Sequence, residues 1–348
     1  MKKREANFEL LRIVAMLMII TLHYLDKGGI LPAPEQQFGA AGYAAWGLEA
    51  FCVCAVNVYV LISAYFLAGS GYRPMKVVKL WLQVFFYSTG IAAVLALTGV
   101  LPLSRFNVYQ IMNYIFPVIE EHYWFVTAYI LTYLLAPLMN GTLRALPEKT
   151  YRQGVLLLLL LLSVSKSILP VELPTDRLGY DALWFLCLYL IGAYIRYHGQ
   201  EIMDGKPLFL MMGYILSSLC IFCSLCVVRA YYGKTGSLVK FINRQYQYNS
   251  ILCLLAAVFL FLTFRSVSIP EGKLAGLICK ISSASFGVYL IHEHMDVRYR
   301  WQSWLGTERF LHTPLFLAHW AVSIAAVYGV CMVIDFGRQY LFEKLGKR

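Results

Sequence analysis

The feature that most constrains this chain is its succession of long apolar stretches. Ten of them start near Phe8, Ala44, Val77, Tyr123, Gly154, Ala182, Leu208, Ser250, Leu274 and Leu315, each close to the length that crosses ~30 Å of hydrocarbon. Only 14% of the residues are charged and the mean hydropathy is +0.62, whereas soluble domains carry about a quarter charged residues. The expected fold is an all-α integral membrane protein of about ten transmembrane helices. It forms one unit over residues 1–348, with no loop long enough for a soluble module. The stretch 108–118 (VYQIMNYIFPV) is short and proline-interrupted, and reads as an interfacial or re-entrant piece.

A net charge of +11 invites a nucleic-acid reading, but the distribution of the charges argues for a lipid bilayer as partner and against nucleic acid. Assigning the loops alternately, with the N-terminus inside, puts the larger share of Lys and Arg on the cytoplasmic side and both termini there. The misfit is the loop after the seventh span, where Arg229, Lys234, Lys240 and Arg244 fall outside. Two explanations stand: an anionic or sugar-rich acceptor, or a local error of topology. The first segment is not expected to be a cleaved signal, because Arg12 interrupts it and no A-x-A site follows closely. Nine cysteines give no framework. Cys220, Cys223 and Cys226 lie in an apolar helix without His or carboxylate beside them, so they read as small hydrophobes and no metal is expected.

Polar residues within or beside the spans are the candidates for chemistry. In FELLRIVAMLMIITLHYL (8–25), Arg12 and His23 are eleven residues apart, nearly one helix face and about 16 Å along it. Imidazole can take a proton from a hydroxyl and return it to a leaving group near neutral pH. Guanidinium can hold a phosphate or orient a carboxylate. Arg73, Lys76 and Lys79, between the second and third spans, are either a positive-inside signal or a clamp for a phosphorylated donor. Glu121 and His122 precede Tyr123 and Trp124 at the edge of the fourth span, offering acid–base groups beside an aromatic belt. The stretch SSASFGVYLIHEHMD (282–296) ends the ninth span with His292 and Glu293 on the His23 side; a carboxylate there would orient His23.

These residues together resemble the membrane-bound acyltransferase 3 family, which includes bacterial O-acyltransferases of surface polysaccharides. Arg12 and His23, with ten residues between, match the family's R-x10-H signature. VNVYVLISAYFLAGS (56–70), HYWFVTAYILTYLLAPLMN (122–140), LWFLCLYLIGAYIRY (183–197) and SASFGVYLIHEH (283–294) are similar in order and spacing. The resemblance implies a ten-helix bundle in the bacterial cytoplasmic membrane. Acyl-CoA, most simply acetyl-CoA, would be the cytoplasmic cosubstrate with no bound cofactor, and a hydroxyl of an extracytoplasmic glycan the acceptor. It also implies catalysis by Arg12 and His23 and a donor- or acceptor-path role for Trp124, with His292 and Glu293 carried over beside them. The chain departs from the family in having Lys76-x-x-Lys79 for R-x-x-R, which keeps charge but loses the bidentate fork. It also has Ser63-Ala64-Tyr65 for Ser-Gly-Tyr, which loses a glycine.

The reading that follows is an O-acyltransferase with His23 as general base or as acyl acceptor; the two routes remain open. Glu293 or Glu121 would orient His23, and Tyr65, Ser63 or Arg12 would meet the oxyanion. Two rivals stand beside it. One is a secondary transporter or flippase of lipid-linked sugars or acyl groups, with Arg12, His23 and Asn57 along its path; the other is a membrane sensor or scaffold.

Overall fold

The computed structural model describes residues 4–118, 122–169, 177–199, 206–311 and 313–345. It is helical, and no strand occurs among the described residues. Eleven principal helices follow in order: α1 (Ala6–Leu25), α2 (Ala40–Ala68), α3 (Pro74–Leu97), α4 (Val108–Ile115), α5 (Trp124–Ala145), α6 (Glu148–Ile168), α7 (Ala182–His198), α8 (Pro207–Thr235), α9 (Ile251–Ser266), α10 (Lys273–His292) and α11 (Phe316–Leu345). Helix is what lipid demands, since backbone amides there have no water to bond and must pair within the segment.

Nine helices among the described residues are long and apolar enough to cross a membrane. The tenth expected span, α7, has 17 residues, about 25 Å along its axis and at the lower limit for crossing. It packs inside the bundle against the second half of α2. The expected starts fall within a few residues of the observed ones. The largest offset is α6, which begins at Glu148 rather than near Gly154. Its first turns, Glu-Lys-Thr-Tyr-Arg-Gln, are helical but polar, so the apolar stretch marks the crossing and not the helix.

α1 is central. Phe8, Leu11, Ala15, Ile20, Tyr24 and Leu25 are all buried, and α2, α9, α10 and α11 pack around it. α3, α8 and α11 are peripheral and turn apolar side chains outward, among them Leu97, Leu208, Phe209, Val227, Val322 and Val333. Those residues form the lipid-facing surface of an integral protein. α4 is only eight residues, about 12 Å, and cannot cross. Asn107 caps it by accepting from the Gln110 amide, Asn113 and Tyr114 face inward, and Val108, Tyr109, Ile111 and Met112 are exposed. The stretch is too short to span, as expected of an interfacial or re-entrant piece.

Alternate loops gather at opposite ends of the bundle, as strict alternation requires. At the His23 end, Arg229 donates to the Gln36 carbonyl, Arg105 pairs with Asp296 at 3.0 Å, and the rings of Trp124, Tyr180 and Tyr248 meet. At the Arg12 end, Asn7 donates to the Phe264 carbonyl, Arg144 to Ala68 and Arg265 to Gly199. Two of the cations that misfit the charge rule have structural work. Arg229 lies 3.9 Å over the Phe38 ring, and buried Arg244 donates to the carbonyls of Lys166 and Leu169 that end α6.

Candidate functional site

α1 carries His23 and Arg12 into different surroundings. His23 lies in its last turn, with Nδ1 3.0 Å from His292 Nε2 and 3.1 Å from Glu293 Oε2. The tautomers follow from the far end of this chain of contacts. His292 Nδ1 is 2.6 Å from the Val288 carbonyl oxygen, which can only accept, so that nitrogen holds the proton and Nε2 is left as an acceptor. His23 then donates from Nδ1, and the lone pair of its neutral ring is on Nε2. A base–orienter arrangement of this kind leaves one bare nitrogen in a fixed direction.

Glu293 is 3% exposed and carries two further cations: Lys27, which bonds it directly, and Arg298 at 3.5 Å. Burial pulls the Lys27 ammonium below the usual lysine range, with Glu293 opposing. His23, Lys27, Glu293 and Arg298 line a cavity of about 490 Å³ shared with Tyr59, Trp124, Tyr180, Tyr248 and Tyr289. A cavity of that size, mostly apolar with a few convergent polar groups, suits a small ligand. Its aromatic wall is continuous: Trp124 lies 4.7 Å from Tyr180 and 6.0 Å from Tyr248, and those two rings are 4.5 Å apart.

The structure therefore brings His23, Glu293 and Trp124 to one cavity, with His292 behind His23 and off the cavity wall. Asn57, fully buried, stands behind the aromatic wall and holds it. Its amide nitrogen donates to the Tyr248 carbonyl at 2.7 Å, and its oxygen accepts from the Trp184 indole at 3.0 Å. Arg12 is a few turns away towards the other end, its guanidinium on Glu9 and 5.8 Å from the Phe66 ring centre. Glu9 also takes Arg4 and the Ser282 hydroxyl. One thread connects Arg12 to the cavity: the Tyr59 hydroxyl donates to its carbonyl oxygen at 2.7 Å.

Tyr65 sits at the Arg12 end, stacked on Phe8 and bonded by Arg196. Phe8 and His23 are fifteen residues apart on α1, about 22 Å, so Tyr65 is not placed to meet an oxyanion formed at His23. Ser63 is half-buried beside Tyr129 and borders none of the cavities described. Lys76 and Lys79 open α3 at the Arg12 end, exposed, and Arg73 precedes them with its backbone on the Tyr133 hydroxyl. Their end of the bundle is opposite the His23 cavity, whereas Trp124 is on that cavity.

His122 belongs to a different assembly. Its Nε2 accepts the Met295 amide, and Nδ1 faces the Ser88 hydroxyl at 3.4 Å. Beside it, His294 contacts the Ser88 carbonyl and Asp296 takes the Tyr114 hydroxyl at 2.7 Å. Burial, with His294 and Arg298 nearby, pushes the His122 pKa down to about 2. This cluster fastens the loop after α10 and orients no group into the cavity. Glu121 lies outside the described residues. No group of three or more metal-ligating side chains occurs among the described residues.

Sequence reasoning passed over Lys27, Arg298 and Glu49, all on the cavity wall. Lys27 carried a readable signal, since it follows His23 by four residues, just past the end of α1. Comparison with known proteins gives one match: a family model described as "Acyltransferase domain", of the acyltransferase 3 type, over residues 5–336. No curated protein and no solved structure matches the chain.

Proposed function

The chain belongs to the acyltransferase 3 family and is a multi-pass membrane acyltransferase; from that premise we propose that it moves an acyl group, most simply acetyl, from acyl-CoA to a hydroxyl of a cell-surface or lipid-linked glycan. The donor comes from the cytosol, at the end of Arg12, Lys76 and Lys79. The acceptor is met at the extracytoplasmic end, in the His23 cavity, and the membrane is the bacterial cytoplasmic one. The observation that carries the reading is the proton chain from Val288 through His292 to His23, which leaves His23 Nε2 bare beside an aqueous-end cavity.

In the direct route His23 Nε2 takes the acceptor hydroxyl proton as its oxygen attacks the thioester carbonyl. The tetrahedral oxyanion collapses, the carbon–sulfur bond breaks, and the imidazolium returns its proton to the departing thiolate of coenzyme A. Glu293 steadies the imidazolium while that charge lasts, as a carboxylate on Nδ1 does in any such pair. Lys27 and Arg298 are the cations nearest this event, and they replace Tyr65 and Ser63 as donors for the oxyanion. In the covalent route Nε2 attacks the thioester carbonyl, the carbon–sulfur bond breaks and coenzyme A leaves as its thiolate. The hydroxyl oxygen then takes the acyl group as the Nε2–acyl bond breaks, its proton passing to Nε2 and from there to the thiolate.

The test uses purified protein in liposomes with radiolabelled acetyl-CoA. Wild type transfers label to glycan or slowly releases coenzyme A, and His23→Ala, still monodisperse, loses at least ~10²-fold of that turnover. Full turnover in the variant would remove His23 from the chemistry.

A further inference from the structure

One polar group on the cavity wall has no part in the reaction just described. Glu49 is a lone acid in an apolar stretch of α2. It lines the His23 cavity, yet its Oε2 is closed to solvent and has no hydrogen-bond partner. The two cations on the same cavity, Lys27 and Arg298, are turned to Glu293. The charged neighbour that acts on Glu49 is Asp26, of the same sign and on the same wall. An isolated buried carboxylate oxygen is costly, and a structure keeps one where a donor arrives from outside the chain.

A carboxyl group accepts when ionised and also donates when protonated, so the missing partner is a polar group such as a hydroxyl, which meets either state. Next to Glu49 in the lining are flat aromatic faces: Trp46 with Tyr246 edge-on at 4.8 Å, and the Trp124–Tyr180–Tyr248 wall. Two kinds of ligand suit aromatic faces beside an acid, a pyranose and an alkylammonium. Lys27 and Arg298 on the same cavity disfavour the cation, and the rings form a continuous wall rather than a box around a point charge.

We propose that Glu49 and Asp26, with the Trp124–Tyr180–Tyr248 wall, form a pyranose-binding subsite. One face of the sugar lies on the rings and its hydroxyls donate to the Glu49 carboxylate. Resting on the proposed function, this placement turns a further hydroxyl of the same sugar towards His23 Nε2. The binding itself requires only the cavity and does not depend on that function. Specificity follows, because a site built to receive hydroxyl donors rejects a ligand that lacks one by leaving a buried acceptor unpaired.

The experiment titrates methyl α-glucopyranoside, galactopyranoside, mannopyranoside and N-acetylglucosaminide into the purified full-length protein in sugar-free detergent, following tryptophan fluorescence. Tetramethylammonium is the competing probe, and acetyl-CoA consumption is measured on the same preparation. At least one glycoside binds wild type, and Glu49→Gln, which keeps the side-chain volume, weakens that binding by about 10- to 100-fold. A monodeoxy form of the preferred glycoside weakens binding to wild type by a similar factor and weakens it far less in Glu49→Gln. Because Glu49→Gln could perturb the fold, Tyr180→Leu on the separate ring wall is measured alongside and is expected to lose affinity as well. Binding of no glycoside, unchanged binding in Glu49→Gln, or preference for tetramethylammonium would overturn the subsite. Sugar binding without acetyl-CoA consumption would instead remove acetyl-CoA as the proposed donor and leave the subsite standing.

Discussion

His23 Nδ1 bonds a second histidine and lies 3.1 Å from a carboxylate oxygen, and the two neighbours have different duties. His292 is itself fixed by the Val288 carbonyl, so it sets the tautomer and the ring direction without carrying charge. Glu293 supplies the charge that compensates an imidazolium. His292 is thus a positioning residue, and His292→Phe, which keeps a ring in the buried site but removes the Nε2 acceptor, separates the duties. The expected outcome is a fall in kcat of about 10²-fold with KM for acetyl-CoA unchanged, read by steady-state kinetics in liposomes. A wild-type kcat would mean that Glu293 alone fixes the ring. Much of this site was readable from residue types, because an ionisable group in a membrane helix is expensive and so stands out: Arg12, His23, His292 and Glu293 did. Glu49 carries the same signal but was hidden by the absence of a partner within its own segment. Arg298 was not readable at all, because its meaning depends on a loop folding back over α1.

Among the helices, the second half of α2 and α7 approach each other closely. A Cβ placed on Gly192 would stand 2.6 Å from the Ala64 Cβ and 3.2 Å from the Leu61 carbonyl oxygen. Small residues let membrane helices touch backbone to backbone. The sequence Ser63-Ala64-Tyr65 seemed to have lost the glycine such contact needs; the glycine is present, on the partner helix. That exchange is invisible to a reading of one segment at a time, since it belongs to a pair of segments some 130 positions apart. The contact also sets Asn57, on the same half of α2, against Trp184 at the start of α7, and so supports the cavity's aromatic wall. Gly192→Ala is therefore expected to destabilise the protein by about 1–3 kcal/mol, the usual range for overpacking, seen as a lower Tm in detergent. Ala64→Gly added to it should restore part of the loss, a coupling that independent sites do not show. Strictly additive losses in the double variant would mean that the two helices have room to separate.

For the molecule as a whole, the sequence ordered the helices well, because length and apolarity are properties of single segments. Sidedness rested on loop charges, and there the signal was mixed: Arg229 and Arg244 sit at the His23 end as structural ties, so they counted against an orientation they do not oppose. With those two discounted, the positive-inside rule assigns the Arg12 end, with Lys76, Lys79 and exposed Lys149, to the cytoplasm as an expectation to be tested. The proposed reaction requires the same orientation, since acyl-CoA is cytosolic and the His23 cavity has to face the acceptor. Single-cysteine variants test this directly. Lys240→Cys reports the His23 end and Lys149→Cys the Arg12 end, both positions being exposed. The nine native cysteines are replaced first, since Cys220 and Cys223 are exposed on α8. In intact cells opened only at the outer envelope, a membrane-impermeant maleimide is expected to label Lys240→Cys and to reach Lys149→Cys only after the inner membrane is broken. The reverse pattern would place the His23 cavity in the cytosol. It would turn the acceptor into a cytosolic molecule, because a base at that end has no access to a glycan across the bilayer.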